Sequence, residues 1–396
     1  MIKYFLIFLY SLSLFGDSKI ISAFTDGYAE AEVKLFYYDS HKESTPDSYA
    51  TSLGGYLKYT TDSKNPFFAS LRFHTSNPVG NTLNPELTSL FNNDNNASAL
   101  NVVSESFLAY QAKNRIMRVG NFMLKTPMMN VDTTRTVPWS YQGFTYTGTA
   151  IKDTKVQLNY ISAIRSHTSD AYTDESASGR IGKSGITMLA LHYSGIKGLS
   201  LKGYYYYAPE LYSTFIAKAY YQFYADKETL LCLGAQYFNS GNGGEFAQTE
   251  SRNGGDDINL LALRVLLDRE DYSISLNYSN NFGISGIVKG YGGLAKVYTT
   301  SMVANGRGNY KPETWMLKSS YRLPLNTFES EVALTLTKTE VNDTRGNPFN
   351  AYYLHFKHYF NKETSIYLRY ESIDFLNDKS DASYFRAIAS YRFLAI

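Results

Sequence analysis

From Leu199 to Tyr207 the chain reads LSLKGYYYY, and the alternation in this stretch decides the fold. Leu199, Leu201, Gly203, Tyr205 and Tyr207 occupy one phase of a two-residue period, and Ser200, Lys202, Tyr204 and Tyr206 the other. Successive side chains of a strand point to opposite faces, so this pattern makes a strand with one apolar and one polar face. Residues 28–38 repeat it, with Ala29, Ala31, Val33, Leu35 and Tyr37 set against Glu30, Glu32, Lys34 and Phe36. So do residues 365–374, where Ile366, Leu368 and Tyr370 alternate with Tyr367, Arg369 and Glu371.

Working outward, eighteen segments of this kind can be read: 28–38, 49–60, 67–75, 102–111, 115–123, 141–149, 154–165, 185–194, 199–207, 213–224, 229–238, 257–267, 272–281, 313–323, 328–340, 351–360, 365–374 and 383–393. Alternation is imperfect in 102–111, 115–123 and 141–149. The connections alternate as well. Those after odd-numbered segments are long, such as 76–101, 124–140, 166–184, 239–256 and 282–312, with 208–212 a short exception. Those after even-numbered segments are short and polar. An even number of strands with short turns at one end and longer loops at the other is the signature of a bacterial outer-membrane barrel. A sandwich has no reason to gather its long loops at one end. The residues after 23 leave about 21 for each strand and its connection, workable for strands of ~10 residues that cross a bilayer. The expected fold is all-β, a transmembrane antiparallel β-barrel of 18 strands at residues 24–396.

Residues 1–23 read as a cleaved signal peptide: Lys3, an apolar run from Tyr4 to Phe15, then Ser22 and Ala23 as small residues at a cleavage point. A membrane anchor is the other reading, but a spanning helix needs roughly 20 apolar residues and Gly16, Asp17 and Ser18 interrupt this run. Composition removes other classes. Aromatic residues make up 16% of the 396-residue chain, too many for disorder, and one Cys excludes a disulfide or cysteine-built zinc scaffold. A net charge of +2 leaves no basic footprint for nucleic acid. The mean hydropathy of −0.29 suits a barrel that is apolar outside and polar within. The 36 Tyr residues then divide between ordinary strand positions such as Tyr220 and Tyr221 and a girdle at the bilayer boundary. Tyr37, Tyr38, Tyr59, Tyr110, Tyr272, Tyr352 and Tyr353 are the girdle candidates.

Placing the apolar phase toward lipid assigns the other phase to the lumen. Its basic members are Lys34, Lys58, Arg72, Arg118, Lys202, Lys218, Arg264, Lys318, Arg322, Lys357, Arg369, Arg386 and Arg392, against the acids Glu30, Glu32, Glu105, Glu331 and Glu371. A charge facing lipid costs ~2–4 kcal/mol at mid-membrane, which explains why these side chains turn inward but not their sign. An excess of positive charge would concentrate anions and favour their passage, and Arg can hold a carboxylate by two parallel hydrogen bonds. Pairing with loop carboxylates would instead leave little selectivity.

Residues 118–143 read RVGNFMLKTPMMNVDTTRTVPWSYQG. Arg118, Gly120, Thr126, Pro127, Arg135, Pro138 and Gly143 match a motif of the OprD-type outer-membrane porins, and the chain resembles that family, with FTDGYAEAEVKLFYYD and TSLGGYLKYTT adding to the likeness. The resemblance implies an 18-stranded porin in a Gram-negative outer membrane, with the third and seventh outer loops, here 124–140 and 282–312, folded inward. It implies passive or substrate-selective diffusion of small polar solutes, anionic or zwitterionic, such as small carboxylates or amino acids. The expected track comprises Arg72, Arg118, Lys125, Arg135, Arg264, Lys318, Arg322, Arg369, Arg386 and Arg392. Arg135 either lines the constriction or ties the loop to the wall. Two departures stand out: Asn121 occupies a position where Arg is frequent, and the chain ends Phe393-Leu394-Ala395-Ile396 where an aromatic terminus is usual for the outer-membrane assembly machinery.

Nothing marks an enzyme, a cofactor or a metal. His355 and His358 are three apart in a strand and face opposite sides, Cys232 has no partner, and no glycine-rich stretch has a phosphate-loop setting. The competing reading is a surface-binding, adhesin-type barrel. Monomer and trimer both remain open.

Overall fold

The computed structural model describes residues 24–94, 96–132, 134–242, 258–283, 290–300, 311–325, 328–342, 346–376 and 381–394. The expected signal at 1–23, most of the long connection at 239–256, and residues 284–289 and 301–310 of the expected inward loop 282–312 lie outside these residues. Eighteen strands follow one another: β1 (Tyr28–Lys42), β2 (Thr45–Thr60), β3 (Phe67–Leu83), β4 (Leu100–Ala112), β5 (Arg115–Phe122), β6 (Ser140–Ile151), β7 (Thr154–Arg165), β8 (Ile186–Tyr193), β9 (Leu199–Tyr207), β10 (Tyr212–Tyr224), β11 (Leu230–Asn242), β12 (Ile258–Asp268), β13 (Tyr272–Asn281), β14 (Pro312–Arg322), β15 (Ser330–Val341), β16 (Phe349–Tyr359), β17 (Thr364–Phe375) and β18 (Ala382–Leu394). Each pairs antiparallel with the next. β18 pairs back to β1, from Glu30 opposite Leu394 to Lys42 opposite Ala382, which closes the sheet. Closure gives every wall strand two neighbours, the condition for a sheet in lipid.

The two phases behave as the alternation requires. Val33 and Leu35 of β1, and Leu53 and Leu57 of β2, are exposed on the outer surface. Glu32, Phe36 and Tyr38 occupy the other phase of β1 and are buried. No helix among the described residues is long and apolar enough to cross a membrane; the crossing is made by strands.

Three features depart from expectation. β1, β2 and β3 run several residues beyond the apolar alternation, and the first outer connection shrinks to Glu43 and Ser44. The hydrogen-bond ladder continues after hydrophobic periodicity has stopped, because outside the bilayer the polar extension is free to face water on both sides. Tyr38 and Tyr353, expected in the girdle, are 4% and 1% exposed and face inward. Consecutive residues occupy opposite faces, so only one member of each pair Tyr37-Tyr38 and Tyr352-Tyr353 can face lipid, and it is Tyr352 that is exposed.

Gly120 and Gly143 of the matched motif are directly opposite each other across β5 and β6. Both have positive φ, 124° and 154°. A Cβ on Gly120 would meet the Ser106 carbonyl oxygen at 2.3 Å, and one on Gly143 the Tyr160 carbonyl oxygen at 2.0 Å. The paired glycines let the backbones of four successive strands, β4 to β7, approach where β5 ends and its loop departs.

Candidate functional site

The loop after β5 begins with a tight turn. Thr126 Oγ1 donates to the Met129 carbonyl (2.9 Å) and the Thr126 amide donates to the same oxygen (2.9 Å), while Pro127 presets the backbone between them. This turn is laced to the loop after β13. The Asn130 amide donates to the Gly292 carbonyl (2.9 Å), the Gly292 amide to Met128 (3.3 Å) and the Lys296 amide to Pro127 (3.0 Å). Asn130 Nδ2 donates to the Leu294 carbonyl (2.7 Å). Tyr141, wholly buried on β6, directs its hydroxyl at both the Asn130 (3.0 Å) and Gly292 (2.9 Å) carbonyls.

Apolar packing holds this double loop to the wall. Met128, Met129 and Tyr291 are fully buried with Tyr206, Tyr212 and Phe238 in one cluster. Tyr206 accepts a hydrogen bond from the Met128 amide (3.3 Å), and Tyr291 donates to the Tyr212 carbonyl (2.7 Å). Burial beside Tyr212 pushes the Tyr291 hydroxyl well above its usual pKa, so it remains a donor. The loop after β7 joins through Ser178, which bonds the Gly290 carbonyl (3.1 Å) and receives the Tyr212 hydroxyl (2.9 Å).

Arg165, at the end of β7, is the anchor that the sequence did not reveal. It is 0% exposed and donates to the Pro138 carbonyl (2.8 Å), Ser140 Oγ (3.0 Å) and the Ser166 (3.0 Å) and Ser169 (3.1 Å) carbonyls. It thus ties the end of one loop and the start of another to the wall. Arg135 is placed differently: its guanidinium lies 4.9 Å from the Tyr38 ring centre and donates to its own neighbour's carbonyl at Thr134 (2.9 Å). Burial, then the nearby Arg386, push its pKa below the usual value.

The inward-phase basic residues of the wall, the remaining track candidates among them, divide into two sets. Four of the five inward-phase carboxylates have Lys or Arg partners, and the fifth, Glu331, has a histidine partner among the described residues. Glu30 meets Lys58 (3.7 Å), Glu32 meets Arg392 (3.2 Å) and Lys34 (3.6 Å), and Glu105 meets Arg72 (2.7 Å). Glu331 meets His355 (3.1 Å), and Glu371 meets Arg369 (2.7 Å) and Arg386 (3.6 Å). Arg386, 2% exposed and 5.2 Å from the Tyr38 ring, is enclosed in the wall. Arg322 belongs to a turn: it donates to the Arg269 and Glu270 carbonyls and meets Asp268 at 3.2 Å. The second set consists of Arg118, Lys202, Lys218, Arg264, Lys318 and Lys357, which meet no carboxylate within 4 Å among the described residues. Arg118 rests on Phe107 (5.3 Å), and Arg264 rests on Tyr298 (4.3 Å) while donating to Asn277 Oδ1 (2.6 Å). At Asn121, the departure from the family motif, side-chain Nδ2 donates to Ser106 Oγ (3.0 Å).

Two adjoining cavities lie where loops and wall meet. One, of about 360 Å³, is lined by Lys125, Lys218, Lys296, Asn130, Asp132 and Tyr204 among others. The second, of about 250 Å³, is lined by Lys318, Arg369, His355, Tyr353, Asp132 and Lys296 among others. Asp132 and Lys296 border both. Asp132 has a left-handed backbone (φ 46°) fixed by its amide donating to Asn130 Oδ1 (3.3 Å) and by its carboxylate accepting from the Thr134 amide (3.3 Å). Neither was a track residue from sequence, since loops have no period from which to read a direction; Asp132 within the matched motif was the one available hint.

Solved structures share this architecture. OccAB4 of Acinetobacter baumannii superposes over 93% of this chain and 98% of its own at TM-score 0.79 and 14% identity. OpdK of Pseudomonas aeruginosa, determined with vanillate, matches over 93% and 99% at TM-score 0.79 and 14% identity. OccK8 (OprE) of P. aeruginosa matches over 95% and 100% at TM-score 0.79 and 15% identity. At these identities the likeness speaks for the fold. No curated protein sequence is similar enough to count as a relative. Residues 82–324 match the model of the outer membrane porins of the OprD family, and with the closed 18-stranded barrel around them they establish that the chain belongs to that family, a porin of the Gram-negative outer membrane.

Proposed function

We propose that this porin passes small anionic or zwitterionic solutes, small carboxylates or amino acids, through a net basic lumen narrowed by loops 124–140 and 282–312. The observation that carries the reading is the pair of cavities where these loops meet the wall. Lys125, Lys218, Lys296 and Lys318 line them, and the one carboxylate among their described lining residues is Asp132. Since four of the five wall carboxylates already pair with Lys or Arg, the cations that meet no carboxylate remain available to a passing anion. In a narrow, poorly hydrated passage they attract it more strongly than they would in bulk water. Polar walls allow the solute to exchange contacts rather than lodge, as conduction requires. Arg135 acts on the loop side, stacked on Tyr38, and Arg165 holds the loop in place.

Export through the segment at 1–23 and recognition by the outer-membrane assembly machinery belong to the same reading. Phe393, exposed and edge-on to Tyr391 at 4.6 Å, provides an outward-facing aromatic near the C-terminus. Swelling of liposomes containing the purified protein tests the proposal. Small carboxylates and amino acids should permeate faster than cations of equal size, and absence of permeation by any small solute would sink it.

A further inference from the structure

We infer that the constriction selects small dicarboxylates over monocarboxylates, with one carboxylate in each of the two cavities. This rests on the anion-passing function proposed above. The larger cavity offers Lys125 and Lys218, the smaller one Lys318 and Arg369, and Lys296 is shared between them. A monocarboxylate or inorganic anion occupies one cavity and leaves the cations of the other without a partner. A molecule with acidic groups at both ends satisfies both sets.

The cations are poised for such a ligand. Lys218 Nζ donates to the Lys296 carbonyl (3.2 Å) and has no carboxylate partner among the described residues. Arg369 spends one guanidinium nitrogen on Glu371, yet its buried Nε has no hydrogen-bond partner among the described residues. Asp132 borders both cavities and therefore faces the middle of a ligand that spans them. Its held carboxylate repels a third acidic group at mid-chain, while Lys296, which also borders both cavities, disfavours an ammonium there, so a neutral methylene chain fits the middle. The selected molecule is thus a linear chain, acidic at both ends and neutral between them.

Block of single-channel current tests this with glutarate, butyrate and propane-1,2,3-tricarboxylate as probes. Glutarate should block at a concentration at least ~10-fold lower than butyrate, the effect of one added charge-assisted contact. The tricarboxylate should block less well than glutarate. Lys218→Gln and Lys318→Gln should each remove the glutarate advantage, and the double variant should remove no more. Lys296→Gln, on a loop and outside the barrel ladder, gives an independent variant with the same expected loss. Equal block by glutarate and butyrate, or an advantage that survives these substitutions, would overturn the inference while leaving an anion-passing porin intact. Channels that none of the three acids blocks would overturn the carboxylate reading beneath it as well.

Discussion

Replacing Tyr141 by Phe removes a single oxygen from the junction between the two loops and leaves the ring that fills the buried site. That hydroxyl faces the Asn130 and Gly292 carbonyls at 3.0 and 2.9 Å. Gly292 retains a donor after the change, because the Asn130 amide still reaches it at 2.9 Å. The Asn130 carbonyl keeps no other donor among the described residues, and Asn130 is 4% exposed, so water does not readily replace the hydroxyl. One buried carbonyl left unsatisfied costs about 1–3 kcal/mol. The barrel ladder is untouched, so the cost falls on the junction and shifts its local opening equilibrium by about 5- to 150-fold. Amide hydrogen exchange reads that equilibrium directly. In Tyr141→Phe, protection at the Asn130 and Gly292 amides should fall by this factor while wall amides exchange as before. Unchanged protection at both loop amides would show that the hydroxyl does not brace the loops, and the reasoning about the constriction would fail with it.

Arg165→Met should loosen both loops that its guanidinium holds: three carbonyls lose a donor at once, at a cost of about 3 kcal/mol or more. Limited proteolysis should then cut the segments 123–139 and 166–185 faster than in the parent, and equal resistance would contradict the anchor. Gly143→Ala forces a methyl group against the Tyr160 carbonyl oxygen and should cost more than about 1 kcal/mol. The folded fraction after refolding, followed by heat-dependent gel migration, should drop, and an unchanged yield would count against the close approach. Glu371→Gln strips the shared partner from Arg369 and Arg386 at a site 1% exposed, a loss of about 3–5 kcal/mol. It should lower thermal stability and also shift ion preference further toward anions, since the lumen loses a negative charge; a shift toward cations would be the wrong sign.

How far the sequence revealed this molecule depended on whether a residue had a period to be read against. Val33, Leu35, Glu32 and Phe36 could be placed on their faces because a strand alternates strictly, and closure followed from an even number of strands with long loops at one end. The same rule, applied fully, separates Tyr37 from Tyr38; treating the pair as one girdle element ignored it. Arg165 escaped notice because its partners are mostly backbone carbonyls at 138, 166 and 169, which any sequence provides. Asp132 and Lys296 escaped for a different reason. Their directions are fixed by Asn130, by a left-handed residue and by bonds between loops about 160 residues apart in sequence, none of which leaves a local pattern. The motif glycines were legible as a resemblance, but the reason for them, two residues opposite one another where four backbones crowd together, required the register. The Lys and Arg residues were legible as inward-facing, whereas which of them are neutralised depended on distances to Glu32, Glu105 and Glu371.

The account's central claim is that the constriction presents uncompensated positive charge to the permeating solute. The reversal potential of the channel in a salt gradient measures this most directly. Anion preference is expected, and it should move toward zero when Lys218, Lys296 and Lys318 are neutralised together. Cation preference in the unaltered channel, or a preference indifferent to those three substitutions, would contradict the claim.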